Sequence, residues 1–194
     1  MIQELVCKNR SYRRFHQDSP IDMDTLKELV ELARISSSGG NRQPLKYILS
    51  CDPETNAVIF DQLTWAAALK DWQGPAEGER PAAYVIVLED STIGKAGVDH
   101  GIACTNLLLG AVERGLGGCM LGTIKKKELR QALGIVERYE ILLVVALGKP
   151  KEIVKLEELE PGGDTRYWRD ENQVHHVPKR KLEEIIVKEY TSLD

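Results

Sequence analysis

Hydrophobic positions along the chain follow two periods. Ile2, Leu5 and Val6 share one side of a short helix that ends near Asn9. Asp18-Ser19-Pro20 marks a turn, and Thr25-Leu26-Lys27-Glu28 reads as a capping box. Leu26, Leu29, Val30 and Ala33 then recur three and four apart and predict an amphipathic helix. Tyr47-Ile48-Leu49 predicts a short strand, and a helix is expected over 54–72, with Val58, Ile59, Leu63 and Trp65 among its apolar positions. Gly74-Pro75 and Gly78-Glu79-Arg80-Pro81 punctuate a loop. Residues 82–88 are a continuous apolar run, the pattern of a buried strand, and 140–147, apolar after Glu140, predicts a second one.

The segment 98–116 is a predicted helix that is apolar nearly all round, through Ile102, Ala103, Leu107, Leu108, Leu109, Ala111 and Val112. Such a helix needs cover on every side, and a subunit interface is one way to supply it. Residues 118–122 predict a short strand and 125–133 a helix. Beyond Pro150 the pattern changes. Residues 151–178 read as charged and irregular, with Pro161-Gly162-Gly163 inside them. Leu182, Ile185, Ile186 and Tyr190 then predict a short amphipathic helix. A polar segment ending in a docked helix suggests an arm, folded back or laid on a partner subunit.

Composition narrows this picture. A chain of 194 residues suits one core, so 1–194 reads as a single domain with 151–194 as its arm. The net charge of -4 gives no reason to expect a nucleic-acid partner. No apolar run approaches the roughly 20 residues of a bilayer span, so no membrane partner is expected. Gln3, Glu4 and Lys8 interrupt the N-terminal apolar residues, unlike a signal peptide. Cys7, Cys51, Cys104 and Cys119 show no paired spacing, which argues against a metal or disulfide framework. Cys104 and Cys119 lie in apolar context and read as core residues, and a cytoplasmic location is the expectation.

Two segments carry more chemistry than their elements require. Ser36-Ser37-Ser38-Gly39-Gly40-Asn41-Arg42-Gln43-Pro44 packs hydroxyls, glycines and carboxamides where a helix stops. Asn and Gln offer donor and acceptor together, which suits the edge of a heterocycle. Pro44 is expected to hold Gln43 extended. The alternative is a helix C-cap with Gly39 or Gly40 in the left-handed region. The second segment, Asn9-Arg10-Ser11-Tyr12-Arg13-Arg14, gathers guanidinium groups and a hydroxyl into a compact anion site. Its alternative is a solvated charged turn. One segment fits a phosphate and the other a heterocycle, which together suggest a nucleotide-like cofactor.

Other readings are weaker. Gly115-Leu116-Gly117-Gly118 follows a helix and has Met120 where a dinucleotide fingerprint needs a third glycine. His175 and His176 are adjacent, so a strand would point them to opposite faces. The serines have no Gly-x-Ser-x-Gly elbow. Tyr167-Trp168-Arg169-Asp170 in the arm stands open as a segment that could reach a cofactor.

In motif order the chain resembles the flavin-dependent nitroreductase family. Asn9-Arg10-Ser11-Tyr12-Arg13 matches its phosphate motif, with Asn9 in place of an arginine. Ser37-Ser38-Gly39-Gly40-Asn41-Arg42-Gln43-Pro44 matches its flavin loop, with Ser37 in place of a proline. Gly115 to Gly122 and Gly148-Lys149-Pro150 match two further motifs. The resemblance implies an α+β fold round a mixed central sheet, FMN as cofactor, and NADH or NADPH as reductant. It implies a homodimer with FMN at the interface, and a small-molecule acceptor such as a nitroaromatic or quinone. Arg10, Ser11 and Arg13 would hold the phosphate, with Lys149 and Arg169 as further candidates. Ser37, Ser38, Gly39, Asn41 and Gln43 would meet the ring, and Leu121 and Gly122 its N5/O4 edge. Gly148 and Lys149 also fall among the implied cofactor-binding positions. No side chain is expected to act as a catalytic acid or base, since the cofactor carries the hard step. The alternatives are a flavin store or sensor without turnover, and a flavin-cleaving or dehalogenating enzyme, for which 53–81 leaves modest room for a lid.

Overall fold

The computed structural model describes residues 1–66, 68–69 and 72–191. Its centre is β5 (Tyr139–Pro150), the strand predicted over 140–147, longer by a residue before it and three after. On one side β5 pairs with β3 (Ala83–Asp90), which pairs in turn with β2 (Leu45–Ser50). On its other side lie β4 (Gly117–Leu121), opposite Gly148 to Val144, and β1 (Phe15–His16), opposite Pro150 and Lys149. These pairings are antiparallel, and a parallel bridge joins Ser11 to Gly118.

Both faces of the sheet are buried, as the unbroken apolar runs required. Ala83, Val85 and Val87 face α2 (Met23–Arg34) and α4 (Asp99–Glu113). Tyr84, Ile86 and Leu88 face the opposite layer, with Ile59 of α3 (Pro53–Phe60) and Leu129 of α5 (Lys126–Ala132). Strand alternation produces this split. The helices α2 and α4 pack closely because Gly110 has no side chain: a Cβ there would stand 2.2 Å from Leu32 Cδ1. Cys104 and Cys119 are buried core residues, as expected. Among the described residues, no helix is long and apolar enough to cross a membrane.

Several local expectations change. The α2 cap is Asp22, whose carboxylate accepts the Thr25 N–H at 2.6 Å, so the helix starts before the expected box. The helix expected over 54–72 stops at Phe60. Leu63 instead bridges Ile124, and positions 67, 70 and 71 lie outside the described residues. The chain itself covers only part of α4: Leu107, Leu108 and Ala111 face its own core, while Ile102 is exposed and Val98, just before the helix, is 73% exposed.

The arm is more ordered than its composition suggested. β6 (Val154–Glu158) runs parallel to β8 (His175–Lys179), and β7 (Trp168–Arg169) pairs antiparallel with β8. Its last helix, α6 (Leu182–Ile185), is four residues long and has no buried residue. Tyr190 is 85% exposed, so this segment is not docked on its own chain.

Candidate functional site

After α1 (Ile2–Lys8) the chain turns at Asn9 and runs beside β4. The Tyr12 N–H donates to the Gly118 carbonyl at 3.0 Å, which sets Arg10, Ser11 and Arg13 at the start of β4. A Cβ on Gly117 would meet the Tyr12 ring at 2.5 Å, so the glycine permits this approach. Asn9, Arg10, Ser11 and Arg13 line a cavity of about 300 Å³. Tyr167, His175, Val177 and Lys179 of the arm form its other wall. Among the described residues no carboxylate lines it, so Arg10, Arg13 and Lys179 leave it strongly cationic. Arg10 spends one Nη2 bond on the Val6 carbonyl at 2.8 Å, and its buried Nε has no partner.

Glu152 fixes this corner. Its side chain is fully buried and accepts the backbone N–H groups of Arg13 and Arg14, the latter at 3.2 Å. It also pairs with Arg169 at 2.9 Å. Arg169 lies over the Trp72 ring at 4.2 Å, and burial in this place lowers its pKa. The Tyr167-Trp168-Arg169 segment therefore reaches the arginine cluster: Tyr167 packs under Arg13 at 4.8 Å, and Arg169 is committed to Glu152. Arg169 does not line the basic cavity. Nearby, Arg14 is held in a bidentate pair by Glu79, at 2.6 Å for each bond.

From this corner β4 leads away for four residues, roughly 13 Å, to Gly122. It has no second strand partner beyond β5 among the described residues. Leu121 turns its side chain into the core, while a Cβ on Gly122 would meet open space. The β4 edge is thus open to a flat ligand whose anionic end sits at Ser11. Gly148 and Lys149 stand elsewhere. Gly148 is needed for packing, since a Cβ there would meet the Phe15 ring at 2.7 Å. Lys149 is exposed opposite His16, and neither lines the basic cavity.

The carboxamide loop forms a second centre. Asp99, the first residue of α4, accepts from Ser38 Oγ at 2.6 Å and from the Gly39 N–H at 2.9 Å. These bonds, Ser38 first, hold its carboxyl below the usual range. Ser38 Oγ also accepts the Gln43 N–H at 2.9 Å. Gln43 is not extended as Pro44 suggested: its φ is 53°, equal to that of Asn41, while Gly40 is at 60°. The Ser38 bond and the Gln43 Nε2 bond to the Asn41 carbonyl, at 3.2 Å, close the loop on itself and override the pre-proline preference. The left-handed glycine, Gly40, sits in a 3-10 turn after α2, five residues past its cap Ile35. Asn41 and Gln43 present exposed side chains, and Ser37, Ser38 and Gln43 line a cavity of about 220 Å³.

One chain does not bring these two centres together. Asp99 and Gly118 are tied to opposite ends of α4, whose 15 residues span roughly 22 Å. Across the sheet, Leu45 stands opposite Glu89, itself opposite Glu140, while Phe15 stands opposite Pro150. That is ten residues of β5, roughly 33 Å along the strand. Sequence reasoning missed Asp99, Glu152, His175 and Lys179 as site-building residues. Only Asp99, an acid at a helix start, carried a local signal. The others enter through the arm's pairing, which no motif announces.

These features define an α+β protein with a cationic cradle at one sheet corner and a carboxamide loop at the opposite one. The chain belongs to the nitroreductase family, whose model matches residues 8–149. It is 28% identical over 148 residues, 72% of this chain and 80% of the relative, to a proposed NADH dehydrogenase/NAD(P)H nitroreductase of Archaeoglobus fulgidus. It is 25% identical over 195 residues, 88% of this chain and 90% of the relative, to a 5,6-dimethylbenzimidazole synthase of Rhodospirillum rubrum. Its fold matches that of a protein from Exiguobacterium sibiricum, assigned as a nitroreductase and solved with FMN. The TM-score is 0.66, with 18% identity over 78% of this chain and 89% of the other.

Proposed function

We propose that this chain is an FMN-dependent NAD(P)H oxidoreductase that works as a homodimer and reduces an electron-poor small molecule, a nitroaromatic or quinone. The carrying observation is the acid-free cationic cavity where the open β4 edge begins. The donor set fits a flavin phosphate: two guanidinium groups, an ammonium and a hydroxyl, with the buried Arg10 Nε still unpartnered. Arg10, Ser11 and Arg13 bind the phosphate, and the backbone at Leu121 and Gly122 takes the ring edge. Asn41 and Gln43 are too far to reach that ring from the same chain. In this reading they come from the second subunit, with the uncovered apolar residues Val98 and Ile102 at the interface. Ser37, Ser38 and Gly39 shape that loop, and Gly148 and Lys149 support the strand rather than touch the cofactor.

When bound, FMN supplies reversible hydride exchange at N5, first with a nicotinamide and then with the acceptor. The protein positions the ring, excludes water from one face, and offers hydrogen bonds without an essential acid or base. Reductant and acceptor use the same face in turn, which gives ping-pong kinetics. The test is an anaerobic absorption titration of the flavin-loaded protein with NADH and NADPH, followed by addition of a quinone. Bleaching and then recovery of the flavin bands is expected. Bound flavin that neither nicotinamide reduces would leave a store or sensor instead. A second reading is a flavin-cleaving enzyme; it is favoured by the Rhodospirillum relative's being a 5,6-dimethylbenzimidazole synthase, since a flavin carries the same dimethyl-substituted benzene ring. Under air that reading requires irreversible loss of the flavin spectrum where the reductase reading requires its return.

A further inference from the structure

β8 carries His175 into the wall of the basic cavity, beside Arg10, Ser11 and Arg13. The residue is 1% exposed. Its Nε2 lies 3.4 Å from Arg13 Nη1. A guanidinium has only donors, so this ring nitrogen faces it as an acceptor. Burial first, then the charges of Arg13 and Arg169, push the imidazole down to about 4, so the ring is neutral. A neutral imidazole that accepts at one nitrogen carries its proton on the other. That nitrogen, Nδ1, is buried and has no hydrogen-bond partner among the described residues. Buried donors are seldom left unpaired.

The surroundings define the missing acceptor. The Tyr167 ring packs at 5.0 Å from the imidazole and at 4.8 Å from the Arg13 guanidinium, so ring and guanidinium are held together. Arg10 and Lys179 add positive charge, and no carboxylate lines the cavity among the described residues. An acceptor that enters here is an anion. The arginines already supply charge, and a neutral N–H adds a directed bond without further like-charge repulsion.

We propose that His175 reads the phosphate of the flavin nucleotide: its free N–H donates to a phosphate oxygen, and the arm thereby makes the site select FMN over riboflavin. This rests on the FMN reading above and adds to it a specificity-determining residue outside the arginine–serine motif.

The test compares FMN with riboflavin, which differs only by the phosphate. Dissociation constants for both are measured by quenching of flavin fluorescence on flavin-free protein. His175→Phe keeps a ring of similar size without the N–H. It is expected to weaken FMN roughly tenfold to a hundredfold, the scale of one hydrogen bond to a charged group, and to leave riboflavin unchanged. His175→Gln, which keeps an N–H, should recover part of the loss. An equal loss for both flavins, or no loss for either, overturns the proposal. If the wild type itself shows no preference for FMN, the phosphate lies outside this cavity and the underlying placement fails instead. Should His175→Phe not fold, the wild type labelled with 15N in histidine gives the answer. FMN should shift the His175 ring resonances and riboflavin should not. Identical spectra with the two flavins overturn the proposal.

Discussion

Replacing Glu152 by alanine should destabilise the chain more than any surface substitution. The carboxylate is fully buried and serves three donors: the N–H groups of Arg13 and Arg14 and the guanidinium of Arg169. Arg169 is itself only 8% exposed in its side chain. Removing one partner of a buried ion pair strands the other charge, at a cost of roughly 3–5 kcal/mol. The two N–H groups lose acceptors as well, but these costs overlap, because water enters the same space. A loss of about 4 kcal/mol is therefore expected, a large part of the roughly 5–15 kcal/mol that holds a domain folded. Glu152→Gln keeps an oxygen for the backbone donors and should lose less. In the double variant Glu152→Ala with Arg169→Met no buried charge is stranded, so part of the loss should return. Urea unfolding measures all three, with the slope against urea expected to stay constant. A loss below about 1 kcal/mol for Glu152→Ala, or a double variant no better than the single, would refute the reasoning.

Three further outcomes follow from the same geometry. Arg10→Ala and Arg13→Ala should each weaken FMN by about 1.5–3 kcal/mol in equilibrium titration, and tight FMN binding by the double variant would move the phosphate elsewhere. Glu79 is held at about 2, against an ordinary 4.5, by its bond to Arg14 first and with help from Lys151. Its contribution to stability is thus complete above pH 4.5 and fades as pH falls towards 2, and Glu79→Gln should flatten that acid-side slope in pH-dependent unfolding. An unchanged slope would contradict it. His176 is raised above its ordinary 6.5 by Glu157 first and also by Asp170, and it stacks on Trp168 at 5.0 Å. The arm's bonds to this ring hold fully below pH 6.5 and weaken as pH rises through the higher folded value. Tryptophan emission should therefore rise with a midpoint above 6.5, and the step should vanish in Trp168→Phe. A midpoint at or below 6.5 would contradict this.

The sheet was legible in the sequence because its central strands are buried on both faces, so residues 82–88 and 141–147 are apolar without interruption. The arm was not. β6, β7 and β8 are short and mostly polar, and β6 pairs with a strand about twenty residues later, which leaves no local period to read. The helix over 54–72 was overestimated because Leu63 and Trp65 are buried as extended chain and loop, not on a helical face. In the site, the arginine cluster and the carboxamide loop were visible as composition. Their separation was not, because it follows from the sheet order and from the length of α4. Glu152 and His175 look ordinary in sequence and acquire their roles only when the arm folds back on the arginine cluster.

That separation leads to the most direct test of the account. Two differently tagged chains are co-expressed, one carrying Arg10→Ala with Arg13→Ala and the other Asn41→Ala with Gln43→Ala. The mixed dimer is then isolated through both tags and its flavin content measured by absorbance. If each site takes its phosphate cradle from one chain and its carboxamide loop from the other, the mixed dimer holds one intact site and one doubly damaged site. It should then retain about half the FMN of the wild-type dimer, while either variant homodimer retains little. A mixed dimer as empty as the two homodimers would mean that both clusters act within a single chain, and would contradict the shared site.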